Sequence, residues 1–428
     1  MVYPNKINSI LKKAQIEIGD TIELISGNKV YKGILMPHHE FSDDDIISIK
    51  LDTGYNVGIS VNDKSELKLI EKNVKYERKD EELRYDNAKP TIAILGTGGT
   101  IASYVDYRTG AVHPALNAKD LAFSVPELAE MCNIRAKMLF SIFSENMKVE
   151  HWQELANEVA DQMNNGARGV IVAHGTDTIG YTSSALSFML SNLTGPVVLV
   201  GSQRSSDRPS SDANINLISA AQFGIDSDLG EVVVLMHGET SDSYISIHRG
   251  TRVRKMHTSR RDAFYSINEE PLGSVKNGKI ILSQEYKKRG KGKVEVHDNM
   301  EKRVCILYPY PGIEIEHFDF LAEKNKGIVI AGTGLGHTPQ ELTNSIRNAV
   351  SSGVVVVMTS QCLYGRVNMN VYSGGRDLLK AGVISGEDML PETAFIKLMW
   401  VLGQTHDSKE IKNLIETNLV GEIGKRRI

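Results

Sequence analysis

Four times in the first 240 residues, a run of about five apolar residues stops at a loop of small polar ones. Thr91-Ile92-Ala93-Ile94-Leu95 meets Gly96-Thr97-Gly98-Gly99-Thr100, and Gly169-Val170-Ile171-Val172-Ala173 meets His174-Gly175-Thr176-Asp177. Pro196-Val197-Val198-Leu199-Val200 meets Gly201-Ser202-Gln203-Arg204, and Val232-Val233-Val234-Leu235-Met236 meets His237-Gly238-Glu239-Thr240. Such runs lack the alternation of a strand with one wet face. They fit strands buried on both sides, as in a parallel sheet covered by helices. Helical segments are predicted between them, at 149–164 and 181–193. The pattern predicts a wound α/β domain that binds its ligand at the C-terminal ends of the strands.

A chain of 428 residues has room for about three domains at roughly 150 residues each. Residues 1–75 read as a small β-barrel-like domain: short alternating strands are separated by turns such as Ser26-Gly27-Asn28-Lys29 and Asp52-Thr53-Gly54. A charged run of mixed sign makes 76–89 a linker. The large α/β domain spans 90–290, with the basic stretch Lys287-Lys288-Arg289-Gly290-Lys291-Gly292-Lys293 at its end read as the start of an interdomain linker through 303. Strand-like runs resume at Val304, Gly327 and Val354, so 304–428 reads as a smaller α/β domain in which Leu398-Met399-Trp400 is helix core.

Charge and composition exclude some functions. Lys and Arg number 49 against 53 Asp and Glu, a net of −4, and residues 1–90 carry 14 against 16. Neither the chain nor its first domain has the broad positive field of an autonomous RNA binder. The β-module is expected to contact protein. Cys132, Cys305 and Cys362 are widely spaced, with no Cys-x-x-Cys, and no His-Glu-x-x-His occurs, so neither a disulfide framework nor a metal site is expected. The first residues lack the apolar core of a signal peptide and no stretch approaches a spanning helix, so a cytoplasmic protein is expected.

The first loop fits a phosphate cradle badly. Gly-x-Gly-x-x-Gly counted from Gly96 needs glycine where Ile101 stands, and no Gly-Lys-Ser/Thr follows. What it offers is a hydroxyl, Thr100, among glycines whose N–H groups can approach a substrate; the alternative is a strand-to-helix turn capped by Thr100. The second loop, His174-Gly175-Thr176-Asp177-Thr178, again carries a Thr at a strand end, now beside an acid; helix capping by Thr176 or Asp177 is the alternative. Two such loops in one sheet can converge on one pocket. On its residue type alone, Lys255 in Arg254-Lys255-Met256-His257 is one surface lysine among many.

Gly98-Gly99-Thr100-Ile101-Ala102-Ser103 and His174-Gly175-Thr176-Asp177-Thr178 resemble the two signature loops of the L-asparaginase/glutaminase family. The resemblance runs from Thr91 to about Gly421 and includes Asp388-Met389-Leu390-Pro391-Glu392-Thr393-Ala394 and Lys397-Leu398. It implies a two-domain asparaginase-like body and hydrolysis of a side-chain amide. Thr100 is then the attacking hydroxyl, with Thr176, Asp177 and Lys255 as a second hydroxyl–acid–amine group; the base for Thr100 is left open. An alcohol needs such help at neutral pH, and backbone N–H groups around Gly98, Gly99, Gly175 and Thr176 are natural oxyanion donors. By the same resemblance Gly99 borders the substrate, Ser144 holds its α-carboxylate, and Glu145 and Asp177 hold its ammonium. Tyr107, or Tyr104, is the lid tyrosine in the segment after Thr100.

Ordinary members of that family lack the extra 85–90 residues found here ahead of the body. A β-module in that place resembles the ammonia-producing subunits of archaeal tRNA-dependent amidotransferases. This implies that glutamine or asparagine is cleaved to supply ammonia for turning Glu-tRNA(Gln) into Gln-tRNA(Gln). It implies a partner subunit of the GatE type, a kinase that binds the tRNA and takes ATP and Mg, with no cofactor or metal in this chain. A homodimer core inside a heterotetramer is implied too. The rival readings are a free-standing cytoplasmic asparaginase/glutaminase with an appended domain, and a non-catalytic binding protein. Glutamine and asparagine differ by one methylene, only ~1–3 kcal/mol in a pocket, and the sequence does not choose between them.

Overall fold

A computed structural model of the chain describes residues 3–38, 43–51, 56–62, 64–72, 85–98, 103–106, 111–114, 125–204 and 211–425. In the N-terminal module five antiparallel strands lie in the order Asn56–Ser60, Ile46–Leu51, Lys29–Leu35, Thr21–Ser26, Glu66–Glu71. The predicted turn is present: Ser26 pairs with Lys29 across Gly27-Asn28, with Gly27 at φ +61°. A helix not anticipated from sequence, Asn5–Lys13, precedes the strands. It buries Ile7 and Leu11, one turn apart, against Ile22, Leu24, Leu35, Ile47 and Ile49. The module therefore has a core of its own.

The body holds an eight-stranded sheet. Strands Asn133–Met138, Thr91–Gly96, Gly169–Ala173, Val197–Val200 and Val232–His237 are parallel neighbours. Each of the last four is buried along its whole length. Helices Val149–Asn164 and Ile179–Met189 cover one face, while Pro126–Met131 and Ala213–Asp226 cover the other. Two covered faces are the physical reason for the unbroken apolar runs.

The sheet is mixed rather than wholly parallel. Ile245–Arg249, Gly273–Lys276 and Lys279–Leu282 extend it antiparallel beyond Val232–His237. The links from His237 to Ile245 and from Lys276 to Lys279 are too short for the crossover that a parallel neighbour requires. Arg249 instead reaches Gly273 through a longer segment that holds strands Val253–Lys255 and Phe264–Ser266.

The smaller domain is a four-stranded parallel sheet in the order Val304–Leu307, Gly327–Gly332, Val355–Ser360, Ile384–Ser385. Helix Pro391–Gln404 joins it to the large domain. Its Ala394, Ile396, Leu398, Met399 and Val401 belong to one core with Leu155, Ile179 and Leu186 on one side and Val304, Val329 and Val357 on the other. Lys397 of this helix and Glu422, which follows helix Ser408–Glu416, form an ion pair at 2.6 Å with both side chains fully buried. The Lys397 ammonium also donates to the carbonyls of Ile415 and Thr417, and Glu422 accepts from the N–H groups of Leu419 and Val420.

One side chain of the basic stretch is docked. Arg289 lies against the large domain and donates to the carbonyls of Arg168, Thr194, Gly224 and Ser227. Burial, with Arg168 nearby, lowers its pKa. Cys132, Cys305 and Cys362 are free, and burial pushes the thiols of Cys132 and Cys305 up to about 11. Among the described residues no helix is long and apolar enough to cross a membrane.

Candidate active site

The C-terminal ends of two neighbouring strands, Thr91–Gly96 and Gly169–Ala173, are tied together. Thr97, which follows Thr91–Gly96, is buried, and both its N–H and its hydroxyl donate to the Ala173 carbonyl, at 3.0 and 3.1 Å. Gly98 sits at φ +115°, and a Cβ there would overlap the Ile142 carbonyl oxygen. Glycine is thus required twice over, by conformation and by space. It presses the first loop onto the segment that leads to Ser144. The proposed nucleophile Thr100, with Gly99 and Tyr107, lies outside the described residues. Tyr104 falls in a short strand, Ser103–Asp106, paired with Ala111–Pro114, of which only the backbone is described.

The second loop leaves Gly169–Ala173 and enters helix Ile179–Met189. Neither Thr176 nor Asp177 occupies the N-cap. That position belongs to Thr178, whose side chain makes no capping bond and instead donates to the Ser144 carbonyl at 2.7 Å. The capping alternative therefore does not describe this loop. Thr176 and Asp177 turn to Lys255, which lies 79 residues from Thr176 on strand Val253–Lys255, paired with Phe264–Ser266. The Lys255 ammonium donates to the Thr176 hydroxyl and to the Asp177 carboxylate, both at 2.8 Å. Its side chain is 15% exposed against 67% for Asp177, so the amine sits beneath a carboxylate open to solvent.

Small residues make room for this group. A Cβ on Gly201 would stand 2.6 Å from Thr176 Cγ2, and one on Gly175 2.8 Å from Ser144 Cβ. Ser144 is buried at the start of the turn Ser144–Asn146, whereas Glu145 in the same turn is exposed. Thr176, Asp177, Lys255 and Ser144 are thus gathered around one loop.

Behind the loop lies a support that residue types alone did not reveal. Trp152 Nε1 donates to Thr182 Oγ1 at 3.0 Å, and Thr182 Oγ1 lies 2.8 Å from His174 Nε2. His174 Nδ1 lies 2.6 Å from the Gly175 carbonyl, which can only accept, so Nδ1 carries the proton and Nε2 accepts from Thr182. The ring is fully buried, and burial pushes its pKa down to about 4. A neutral His174 is therefore a fixed spacer between the sheet and Gly175. A second chain reaches Gly201: Asp242 meets His237 Nε2 at 3.0 Å, His237 Nδ1 meets Asn216 Oδ1 at 2.8 Å, and Asn216 Nδ2 donates to the Gly201 carbonyl. The hydrogen bond with His237 is the largest influence holding the Asp242 carboxyl below its usual range. Among the described residues, no cluster of three or more His, Cys, Asp or Glu could hold a metal ion.

A hydroxyl, an amine and a carboxylate in sequence can pass a proton and present charge to a polar substrate. Comparison with known proteins gives that geometry a family. Residues 91–288 match the model of the asparaginase N-terminal domain, 303–415 that of the glutaminase/asparaginase C-terminal domain, and 16–70 that of the GatD N-terminal domain. The L-asparaginase of Thermococcus kodakarensis superposes with a TM-score of 0.71 at 34% identity, covering 78% of this chain and 100% of that one. L-asparaginase I of Vibrio cholerae gives 0.70 at 32% identity, covering 78% and 99%.

Two relatives also span the N-terminal module. The GatD subunit of the glutamyl-tRNA(Gln) amidotransferase of Pyrococcus furiosus is 57% identical over 98% of this chain and 97% of its own length. Its counterpart in Saccharolobus solfataricus is 50% identical over 99% and 96%. With identity at this level running through module and body alike, the chain belongs to the GatD family of glutamyl-tRNA(Gln) amidotransferase subunits.

Proposed function

We propose that this chain is the ammonia-producing subunit of a tRNA-dependent amidotransferase. It hydrolyses the side-chain amide of glutamine or asparagine, and the ammonia goes to tRNA-bound glutamate on a partner subunit of the GatE type, where ATP and Mg act. The observation that carries this reading is the Lys255 ammonium held at 2.8 Å from both the Thr176 hydroxyl and the Asp177 carboxylate, on a loop tied to the Gly98 loop. The 57% identity that includes the module favours a subunit over a free-standing asparaginase.

In this mechanism Thr100 attacks the amide carbon and the tetrahedral adduct expels the amide nitrogen as ammonia. Water then cleaves the ester left on Thr100, and the Thr176–Lys255–Asp177 group handles the protons. Backbone N–H groups of the two loops stabilise the tetrahedral oxyanion. Ser144 receives the α-carboxylate, Asp177 and Glu145 the α-ammonium, and Tyr107, or Tyr104, is the lid tyrosine that belongs near Thr100. The chain itself needs no metal or cofactor for this chemistry. It works in the cytoplasm as a homodimer core within a heterotetramer.

The test is ammonia release from glutamine and from asparagine, measured for the chain alone and then with partner, ATP and Glu-tRNA(Gln). Strong stimulation by the full assembly is expected, with Thr100→Ala inactive in both settings. Equal rates with and without the assembly would sink the coupled-subunit reading and leave the free-standing hydrolase.

A further inference from the structure

The hairpin that carries Lys255 is gripped from behind by the smaller domain. Thr393 donates to the Thr251 carbonyl at 3.0 Å. Arg252, 1% exposed, donates to the carbonyls of Gly421 and Asp388 and lies 3.4 Å from the Asp388 carboxylate. Asn268 donates to the Asp388 carbonyl from the hairpin's other leg. These contacts hold the base of the hairpin. One contact reaches the residue beside the amine. Successive side chains in a strand point to opposite faces, so while Lys255 faces Thr176 and Asp177, Arg254 faces Glu392, with Nε 3.5 Å from Oε1.

Glu392 stands in the first turn of Pro391–Gln404 and is 7% exposed. Two tyrosines, Tyr181 and Tyr308, face the pair. Burial pushes Tyr181 up to about 12, with the Glu392 charge adding to the effect. Burial also raises Tyr308 and Glu392 itself, and Arg254 opposes it at both. A carboxylate held where burial penalises its ionised form contributes little to stability as an ion. Its position, against the residue that adjoins Lys255, gives it a geometric use.

We propose that Arg254 and Glu392 are positioning residues, through which the smaller domain sets the Lys255 amine against Thr176 and Asp177. The inference rests on the amide-cleaving reading above. It gives the smaller domain a part in its own chain's catalysis.

The experiment compares Arg254→Gln, Glu392→Gln, their combination, Arg254→Lys and Lys255→Ala in the full chain, measuring ammonia release and thermal midpoint. Expected for each Gln variant is a fall in kcat of about 5- to 50-fold with KM within about twofold. The double variant should be no slower than the worse single, since both break one link. Arg254→Lys should recover most of the turnover, and the Glu392→Gln midpoint should be no lower than wild type. Full turnover in both Gln variants beside an inactive Lys255→Ala overturns this inference alone. A kcat loss matched by loss of folded protein, or unrelieved by Arg254→Lys, marks plain structural support and also overturns it. Undiminished ammonia release by Lys255→Ala overturns the catalytic reading and this inference with it.

Discussion

Lys255 binds two oxygens at once, and its truncation strips Thr176 and Asp177 of the same partner. Lys255→Ala should lower kcat for ammonia release by about 10²–10⁴-fold, the range for a positioned proton-transfer group, with the fold intact by circular dichroism. Gly98→Ala tests conformation instead of chemistry. Its φ of +115° and the Ile142 carbonyl in its path leave a methyl group no relaxed position. A loss of about 1–3 kcal/mol is expected by denaturant titration. His174 gives a pH signature. Its folded-state pKa, about 4, lies below the ordinary 6.5, so its contribution is complete above pH 6.5 and is lost as pH falls toward 4. At about 1.4 kcal/mol per unit, that removes on the order of 3 kcal/mol. His248, also buried and pushed down to about 4, acts in the same window. Chemical denaturation at pH 7, 5.5 and 4.5 should show the decline, and His174→Gln should flatten its share of it.

The strand ends were legible because central strands of a covered sheet admit only apolar residues. What must break the run there is whatever the loop does. Thr176 and Asp177 could therefore be singled out from their place alone. Lys255 could not: its relation to Thr176 spans 79 residues and depends on a hairpin that leaves the sheet. The antiparallel part of the sheet was hidden for a similar reason, since Ile245–Arg249 is buried in all but its last residue, much like a parallel strand, and differs in its connection. Helix Asn5–Lys13 is so short that its apolar period rests on Ile7, Ile10 and Leu11 alone. In the basic run at 287–293 the docking of Arg289 was hidden, because it spends its charge on carbonyls that no local pattern reveals. Gly201 was visible as a strand-end residue, but its purpose, clearance for Thr176 Cγ2, exists only in three dimensions. Gly201→Ala should push Thr176 away from Lys255 and lower kcat by about tenfold or more. Thermal midpoint and kcat measured together separate this from unfolding.

At the scale of the molecule, helix Pro391–Gln404 supplies one core to two sheets, while the N-terminal module packs around Ile7, Ile22, Leu24 and Ile49 by itself. The two domains of the body should therefore melt together and the module separately. Leu398→Ala should destabilise the body transition by about 2–5 kcal/mol and leave the module's transition in place, which calorimetry can check. The same helix holds Lys397 against Glu422, 25 positions further along and equally shut off from water. During synthesis the helix is made first and its ammonium has no carboxylate to meet. The shared core cannot become electrically complete until the ribosome has passed Glu422. Until then a docked helix would bury an unpaired ammonium, so the shared core closes only after the segment that carries Glu422 has been made.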